Sequence, residues 1–378
     1  MLTNTSVLSV RQYFKTILVT SRKMSSQLNN VIDDVIIEDV GENGRIILNR
    51  PKALNALNLS MVKKIYPVLR DWETKKKIVL LKGTGEKSFC AGGDVRAVIE
   101  ANLKGDKLGQ EFFKTEYATN GLIGSYKIPY ISLIDGIVMG GGVGLSLHGQ
   151  YRIATERTVF AMPETQIGFF PDVGGSYFLP RLEGKLGWYL ALTGHRLKGS
   201  DVLKAGIATH FCNSKDINEL EESLMKCSSA RDIEQALRCF EMKDVPEFSL
   251  KSVLPKIDDY FSAATIEEII IKLEMDSSKW AEETIKLLNK MSPTSLKVTL
   301  KQLELGKTMN LKECLELEYA MSVNFLNHSD FSEGVRALLI DKDQQPKWKP
   351  PSLSEVSDEI VNSHFRIPNK GSVFNSKI

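Results

Sequence analysis

Two carboxylates, Glu164 and Asp172, stand eight residues apart in MPETQIGFFPDVGG (162–175). Each directly follows a proline, and Ile167, Phe169, Phe170 and Val173 surround them in sequence. An acid in apolar surroundings resists ionisation, because burial penalises its charged form, and such an acid suits proton transfer or attack on a carbonyl. The prolines stiffen the backbone at both positions. The same features would serve an acid that only caps and holds a turn, so catalysis and turn capping are both open to test in the fold.

Two glycine turns offer a second kind of chemistry. FCAGGD (89–94) and GGG (140–142) each follow a strand-like run and precede a helical one. Glycine lets the backbone turn sharply and approach a ligand closely. Amides at a helix N-terminus are unpaired and carry the positive end of the dipole. Two such turns side by side could present two N–H groups to one developing oxyanion. Either turn alone is also what tight helix packing requires. Neither fits GxGxxG or GxxxxGK[ST], so a phosphate loop is not indicated.

Other nucleophiles are poorly supported. No G-x-S-x-G elbow occurs. Cys90 has no histidine near it in sequence and reads as a small packed residue. His148, among apolar neighbours, reads as structural. Arg96 could meet an anionic ligand or form a surface ion pair. The five cysteines are scattered, odd in number and without a CxxC pair, which argues against a disulfide framework and a zinc site and fits a reducing compartment better; neither metal nor cofactor is expected.

Strands alternating with helices must position these groups. VIIEDVGENGRIILNRP reads as two strands joined at 41–44, and 58–73 as a helix with Val62, Ile65, Leu69 and Trp72 on one face, interrupted by Pro67. Further strands are expected at 78–83, 128–136, 151–155, 158–164 and 207–212, with helices opening near Val95 and after the second glycine turn. From about 214 only helical patterns follow, ending in DFSEGVRALLIDKDQQPKW (330–348). The alternation implies an α/β layered fold.

With 378 residues, 42% hydrophobic and 25% charged, the chain has ample material for a core. A net charge of +2 without a basic aromatic face argues against nucleic acid, and no apolar run approaches the roughly 20 residues of a membrane helix. Residues 1–30 contain Arg11, Lys15, Arg22 and Lys23, frequent Ser and Thr, and no acid, the composition of a mitochondrial transit peptide. The chain closes on Ser376, Lys377 and Ile378, a loose relative of the peroxisomal S-K-L address, so the peroxisome is the alternative to the mitochondrial matrix.

Together FCAGGD, GIVMGGGVGLS and PETQIGFFPDVGG, in that order and spacing, resemble the crotonase superfamily, the enoyl-CoA hydratase/isomerase fold. The resemblance runs from about Asp34 to Cys212. It implies an α/β fold, a crotonase-like spiral of repeated ββα units with a helical C-terminal region. The expected organisation is a transit peptide (1–30), a catalytic core (31–213) and a helical region packing on it (214–378). The resemblance further implies that the amides of Gly93 and Gly141 hold a thioester oxygen of an acyl-CoA, with Gly92 and Gly140 in the substrate-binding turns. Family hydratases carry a second catalytic glutamate where this chain has Gly144, which argues against hydration. Asp172, PDVGGSYFLPRL and EGVRALLIDKDQQPKW are instead similar to a hydrolase branch acting on a 3-hydroxyacyl-CoA of valine breakdown. That likeness implies Glu164 as nucleophile or general base, Asp172 on the 3-hydroxyl group or on water, and Glu116 in the substrate pocket. A further copy of the chain is an open alternative as partner. The rival expectations are an enoyl-CoA hydratase or isomerase, and a non-catalytic structural subunit of a mitochondrial assembly.

Overall fold

Paired strands, one for each of two sheets, recur along the first part of the chain and dictate its architecture. The computed structural model describes residues 33–367 and 372–374; the transit-peptide expectation and the Ser376–Ile378 address lie outside them. A hairpin, β1 (Val35–Val40) and β2 (Asn43–Leu48), leads to the helix Leu59–Lys75. Next come β3 (Val79–Gly83), β4 (Ser88–Cys90) and the helices Val95–Asn102 and Leu108–Gly124. Then follow β5 (Tyr130–Ile134), β6 (Ile137–Met139) and the helix Gly141–Ser146, then β7 (Tyr151–Ala154) and β8 (Val159–Ala161). The first strand of each later pair joins a six-stranded sheet, β1-β2-β3-β5-β7-β10, closed by β10 (His210–Phe211), whose pairs are parallel beyond the hairpin. The second strand joins a four-stranded sheet, β4-β6-β8-β9, whose last strand β9 is Leu197–Lys198. The result is a spiral of ββα turns, as the motifs imply.

Parallel pairing of β4 with β6 and of β6 with β8 has a direct consequence for the site. The three strands end side by side, and their C-terminal ends lead into FCAGGD, MGGG and MPET. Ligands of parallel sheets gather at that edge. β9 (Leu197–Lys198) pairs antiparallel with β8 and closes the sheet.

Several boundaries differ from the sequence expectation. β8 stops at Ala161, so Glu164 opens a 3₁₀ turn, Glu164–Ile167, rather than ending a strand. β10 is only His210–Phe211, because the amides of Ile207 and Ala208 both donate to Val202 O and fold the preceding residues into a turn. The final helical pattern ends early. The helix Ser329–Val335 widens into a π turn, Arg336–Ile340, and the chain then runs irregularly, with Arg336 paired to Glu333, Asp341 and Asp343. Pro67 does not break its helix: it is exposed, while Met61, Val62, Ile65, Leu69 and Trp72 form the buried stripe.

Past β10 the named elements among the described residues are helical. They do not form a separate core. Leu303, Phe325 and Phe331 share one apolar cluster with Leu48, Ile65 and Phe160 of the strand region. Phe169 of the acid-bearing loop lies between them, its ring centroid 4.4 Å from Phe331 and 5.4 Å from Phe113.

Candidate functional site

The first amide turn is shaped by a backbone bridge. Leu57 N donates to Gly92 O at 2.8 Å, and Asp94 N donates to Leu57 O at 2.6 Å. Because successive amides alternate in direction along an extended chain, the Gly93 N–H between them points away from Leu57. Asp94 then caps the helix Val95–Asn102, accepting from Ala97 N, and pairs with Arg50 at 3.1 Å.

The second turn needs glycine for two reasons. Gly140 has φ +43°, and a Cβ there would also meet Glu164 Oε1 at 2.8 Å. At Gly141, the first residue of its helix, a Cβ would collide with Glu116 Oε1 and lie 3.4 Å from Gly93 N. The two turns are therefore adjacent, and neither the Gly93 nor the Gly141 amide hydrogen-bonds to another group among the described residues. Two free donors on one side of a cavity can receive a single oxyanion.

Glu116, Glu164, Asp172, Gly92, Gly93, Gly140 and Gly141 all line one cavity of about 350 Å³. The acids are 1%, 7% and 5% exposed, in that order. Burial pushes the Glu116 and Glu164 carboxyls well above the ordinary carboxylate range, and the nearby Asp172 charge pushes further. Asp172 is pushed up to about 7 by burial, against the hydrogen bond that its Oδ2 accepts from Tyr117 at 2.7 Å. Three acids in one cavity share their protons rather than ionising independently. One oxygen each of Glu116 and Glu164 has no hydrogen-bond partner among the described residues. Buried polar atoms are normally paired, so orphans facing a cavity are available to a ligand.

The loop that carries Asp172 is strained and held by distant side chains. Val173 has φ +53°, an outlier for a β-branched residue, and Gly174 follows at +89°. Strain of this kind persists only where the surroundings over-determine it. His148 Nε2 donates to Val173 O at 2.8 Å; burial lowers that imidazole to about 4, so the ring is neutral. Glu318, fully buried on the helix Leu311–Leu326, accepts from Gly174 N at 2.7 Å and Ser176 N at 2.8 Å. Burial raises Glu318 to about 8 despite those two donors. Gln302 Nε2 donates to Pro171 O and to Ser176 Oγ.

Gly144 sits in a filled corner, where a Cβ would lie 2.7 Å from Val173 Cβ and 2.8 Å from Asn120 Nδ2. No glutamate side chain has space at that position without rearrangement. Asp172 is no mere turn cap, since its side chain bonds Tyr117 and lines the cavity, although its carbonyl also accepts from Gly175 N. Cys90 is buried, its thiol pushed up to about 12 by burial, which leaves no thiolate. Arg96 is exposed and pairs with Glu100 at 2.7 Å, away from the cavity.

Tyr117, Asn120, Gln302, Glu318 and Arg196 were not singled out by the sequence. Glu318 left one signal, a charged residue on the same face of its helix as Cys314, Leu315 and Phe325. Two larger hollows, each of about 670 Å³, lie elsewhere; one is lined by charges already paired, such as Lys82 with Glu221 and Arg157 with Asp135. Among the described residues no cluster of His, Cys, Asp or Glu is arranged to hold a metal, and no helix is long and apolar enough to cross a membrane.

Residues 43–365 match the family model described as enoyl-CoA hydratase/isomerase. The chain is 53% identical over 341 residues to the mitochondrial 3-hydroxyisobutyryl-CoA hydrolase of Gallus gallus, covering 88% of this chain and 89% of that one. With the protein of the same name from Homo sapiens it shares 51% identity over 349 residues, 90% of each chain. Among solved structures, a carnitinyl-CoA dehydratase from Mycobacterium thermoresistibile superimposes with a TM-score of 0.85 at 36% identity, covering 91% of this chain and 100% of that one. An enoyl-CoA hydratase from Rhodobacter sphaeroides gives 0.82 at 37% identity, covering 88% and 97%.

Proposed function

The chain belongs to the enoyl-CoA hydratase/isomerase family, and we propose that it hydrolyses the thioester of 3-hydroxyisobutyryl-CoA to 3-hydroxyisobutyrate and free CoA, a step of valine catabolism. The observation that carries this reading is the cavity itself: Glu164, with an unpartnered oxygen, lines the same cavity as two adjacent free amides, and the Gly144 corner is filled. Adding water across a double bond calls for an acid and a base together, and the filled corner leaves no room for a second glutamate there. The acyl group named here follows the relatives' names. Their mitochondrial names agree with the composition of residues 1–30 and support the mitochondrial matrix as its compartment.

In the mechanism we infer, the thioester oxygen rests between the Gly93 and Gly141 amides, whose fixed dipoles favour the charge that develops there. Ionised Glu164 either attacks the carbonyl carbon, giving a mixed anhydride that water opens, or takes a proton from a water that attacks directly. In both routes a C–O bond forms, the C–S bond breaks and the CoA thiolate leaves and is protonated. Asp172, with one oxygen held by Tyr117, offers the other to the substrate's 3-hydroxyl group. Glu116, standing against Gly141, shapes the pocket on the far side of the second turn.

Free-thiol release from 3-hydroxyisobutyryl-CoA, run beside hydration of crotonyl-CoA, tests the reading. Rapid thiol release is expected, with negligible hydration, and Glu164→Gln should lower it by a factor on the order of 10²–10⁴. Hydration without thiol release would return the hydratase reading. Neither activity, with co-sedimentation in a large particle, would favour a structural subunit.

A further inference from the structure

We propose that Arg196 is the anion anchor of the cavity, binding the phosphates of the CoA moiety while the thioester sits at Glu164; this rests on the acyl-CoA reading above. The sheet delivers it there. In the antiparallel pairing of β9 with β8, Lys198 lies opposite Val159 and Leu197 opposite Phe160. Continuing that register by one residue sets Arg196 opposite Ala161, at the end of β8 from which Pro163 and Glu164 depart. The preceding turn is fixed as well: Gly194 ends its helix in a left-handed conformation, and a Cβ there would lie 3.2 Å from Pro163 Cα. A fourth strand of the same small sheet thus brings a guanidinium to the edge that carries both amide turns and the catalytic loop.

Its surroundings suit an anion. Arg196 is the one cation among the described residues lining the cavity, where Glu116, Glu164 and Asp172 are the charged groups otherwise present. It is exposed and has no carboxylate partner among the described residues, whereas Arg96, the arginine suggested by sequence, is occupied by Glu100 and lies outside the cavity. Leu338, Leu339 and Gln344 also line the cavity and supply no competing charge. An acyl-CoA brings several phosphate charges toward a wall of acids, and a guanidinium presents a planar fork of donors that matches phosphate oxygens.

The test compares two thioesters of one acyl group, the CoA ester and the pantetheine ester, which lacks the phosphates. For Arg196→Ala in the full chain, KM for the CoA ester should rise about tenfold, the order expected for one charge-assisted contact, with kcat within about twofold. KM for the pantetheine ester should not change, and Arg196→Lys should restore part of the CoA effect. Calorimetric titration with free CoA should show the same rise in Kd, steepest at low salt. Arg96→Ala should leave every value as in the wild type. An equal KM rise on both esters, a loss of kcat shared by both, or an unchanged Kd for CoA would overturn the assignment. If the wild type cleaves neither ester, the proposed hydrolysis fails, and the CoA titration alone decides the role of Arg196.

Discussion

The two halves of the site are built in different ways. The amide turns at Gly92–Gly93 and Gly140–Gly141 are set by strand register and a backbone bridge to Leu57, and they need an absence of side chains. The acid-bearing loop from Pro163 to Ser176 is held by side chains: His148 on Val173, Glu318 on Gly174 and Ser176, Gln302 on Pro171. The N-terminal end of that loop is tied too, since Ser292 N donates to Thr165 O at 3.1 Å and Gly168 packs on the Asp330 backbone. A turn made of backbone tolerates change around it but no Cβ within it. A strained loop tolerates neighbouring substitutions but depends on each tether.

This contrast can be broken at either half. Gly141→Ala should have the largest effect, lowering kcat by about a hundredfold or more, since its Cβ collides with Glu116 and displaces one of the two amides proposed to hold the oxyanion. Steady-state thiol release, with circular dichroism to confirm folding, measures it. Glu318→Gln should act through the other half. An amide can accept from only one of the two N–H groups, leaving the other opposed, at a cost of about 1–3 kcal/mol in unfolding free energy. Urea unfolding reads that loss, and kcat should fall while KM holds, because the loop and Asp172 shift rather than the CoA contacts.

Gly144→Glu sharpens the comparison in a different way. It adds the second carboxylate that hydratases carry, yet the corner is occupied by Val173 and Asn120. The variant should gain no crotonyl-CoA hydration and should lose about 1–3 kcal/mol through overpacking. The smallest expected effect is on pH dependence. Burial and Asp172 hold the Glu164 proton tightly, so kcat/KM should fall as pH drops through a limb well above the ordinary carboxylate range; Asp172→Asn should move that limb to lower pH. Stability depends on a further buried acid of the loop's supports, Glu318. Glu318 binds its proton more tightly in the folded chain, so its stabilising contribution is complete below the ordinary carboxylate range and is lost as pH rises through about 8. Melting temperatures of wild type and Glu318→Gln between pH 5 and 9 should show the steeper decline in the wild type.

The same division decided what could be read from the chain. FCAGGD and GIVMGGGVGLS announce themselves locally, because a glycine turn between a strand and a helix is written in consecutive residues. Glu164 and Asp172 were legible as acids in apolar company. Their supports were not. Tyr117 precedes Asp172 by 55 residues, and Glu318 and Gln302 follow their partners by up to 144 and 131. No local pattern encodes such contacts; they arise when the helices close onto the core. Arg196 was equally hidden, since a two-residue strand carries too little periodicity to betray its pairing. The overlong strand expected at 207–212 has a related cause, as Val202 O captured two amides that sequence could only assign to a ladder.

A consequence in time follows from the tethers on Gly174 and Ser176. Chains are synthesised and generally fold from the N-terminus. Both amide turns can form once the strands through β6 and the helix after it exist, but the strained turn at Val173 is tied only by His148 until Gln302 and then Glu318 arrive. The full set of tethers on this loop is therefore complete only late, after more than three-quarters of the chain is in place.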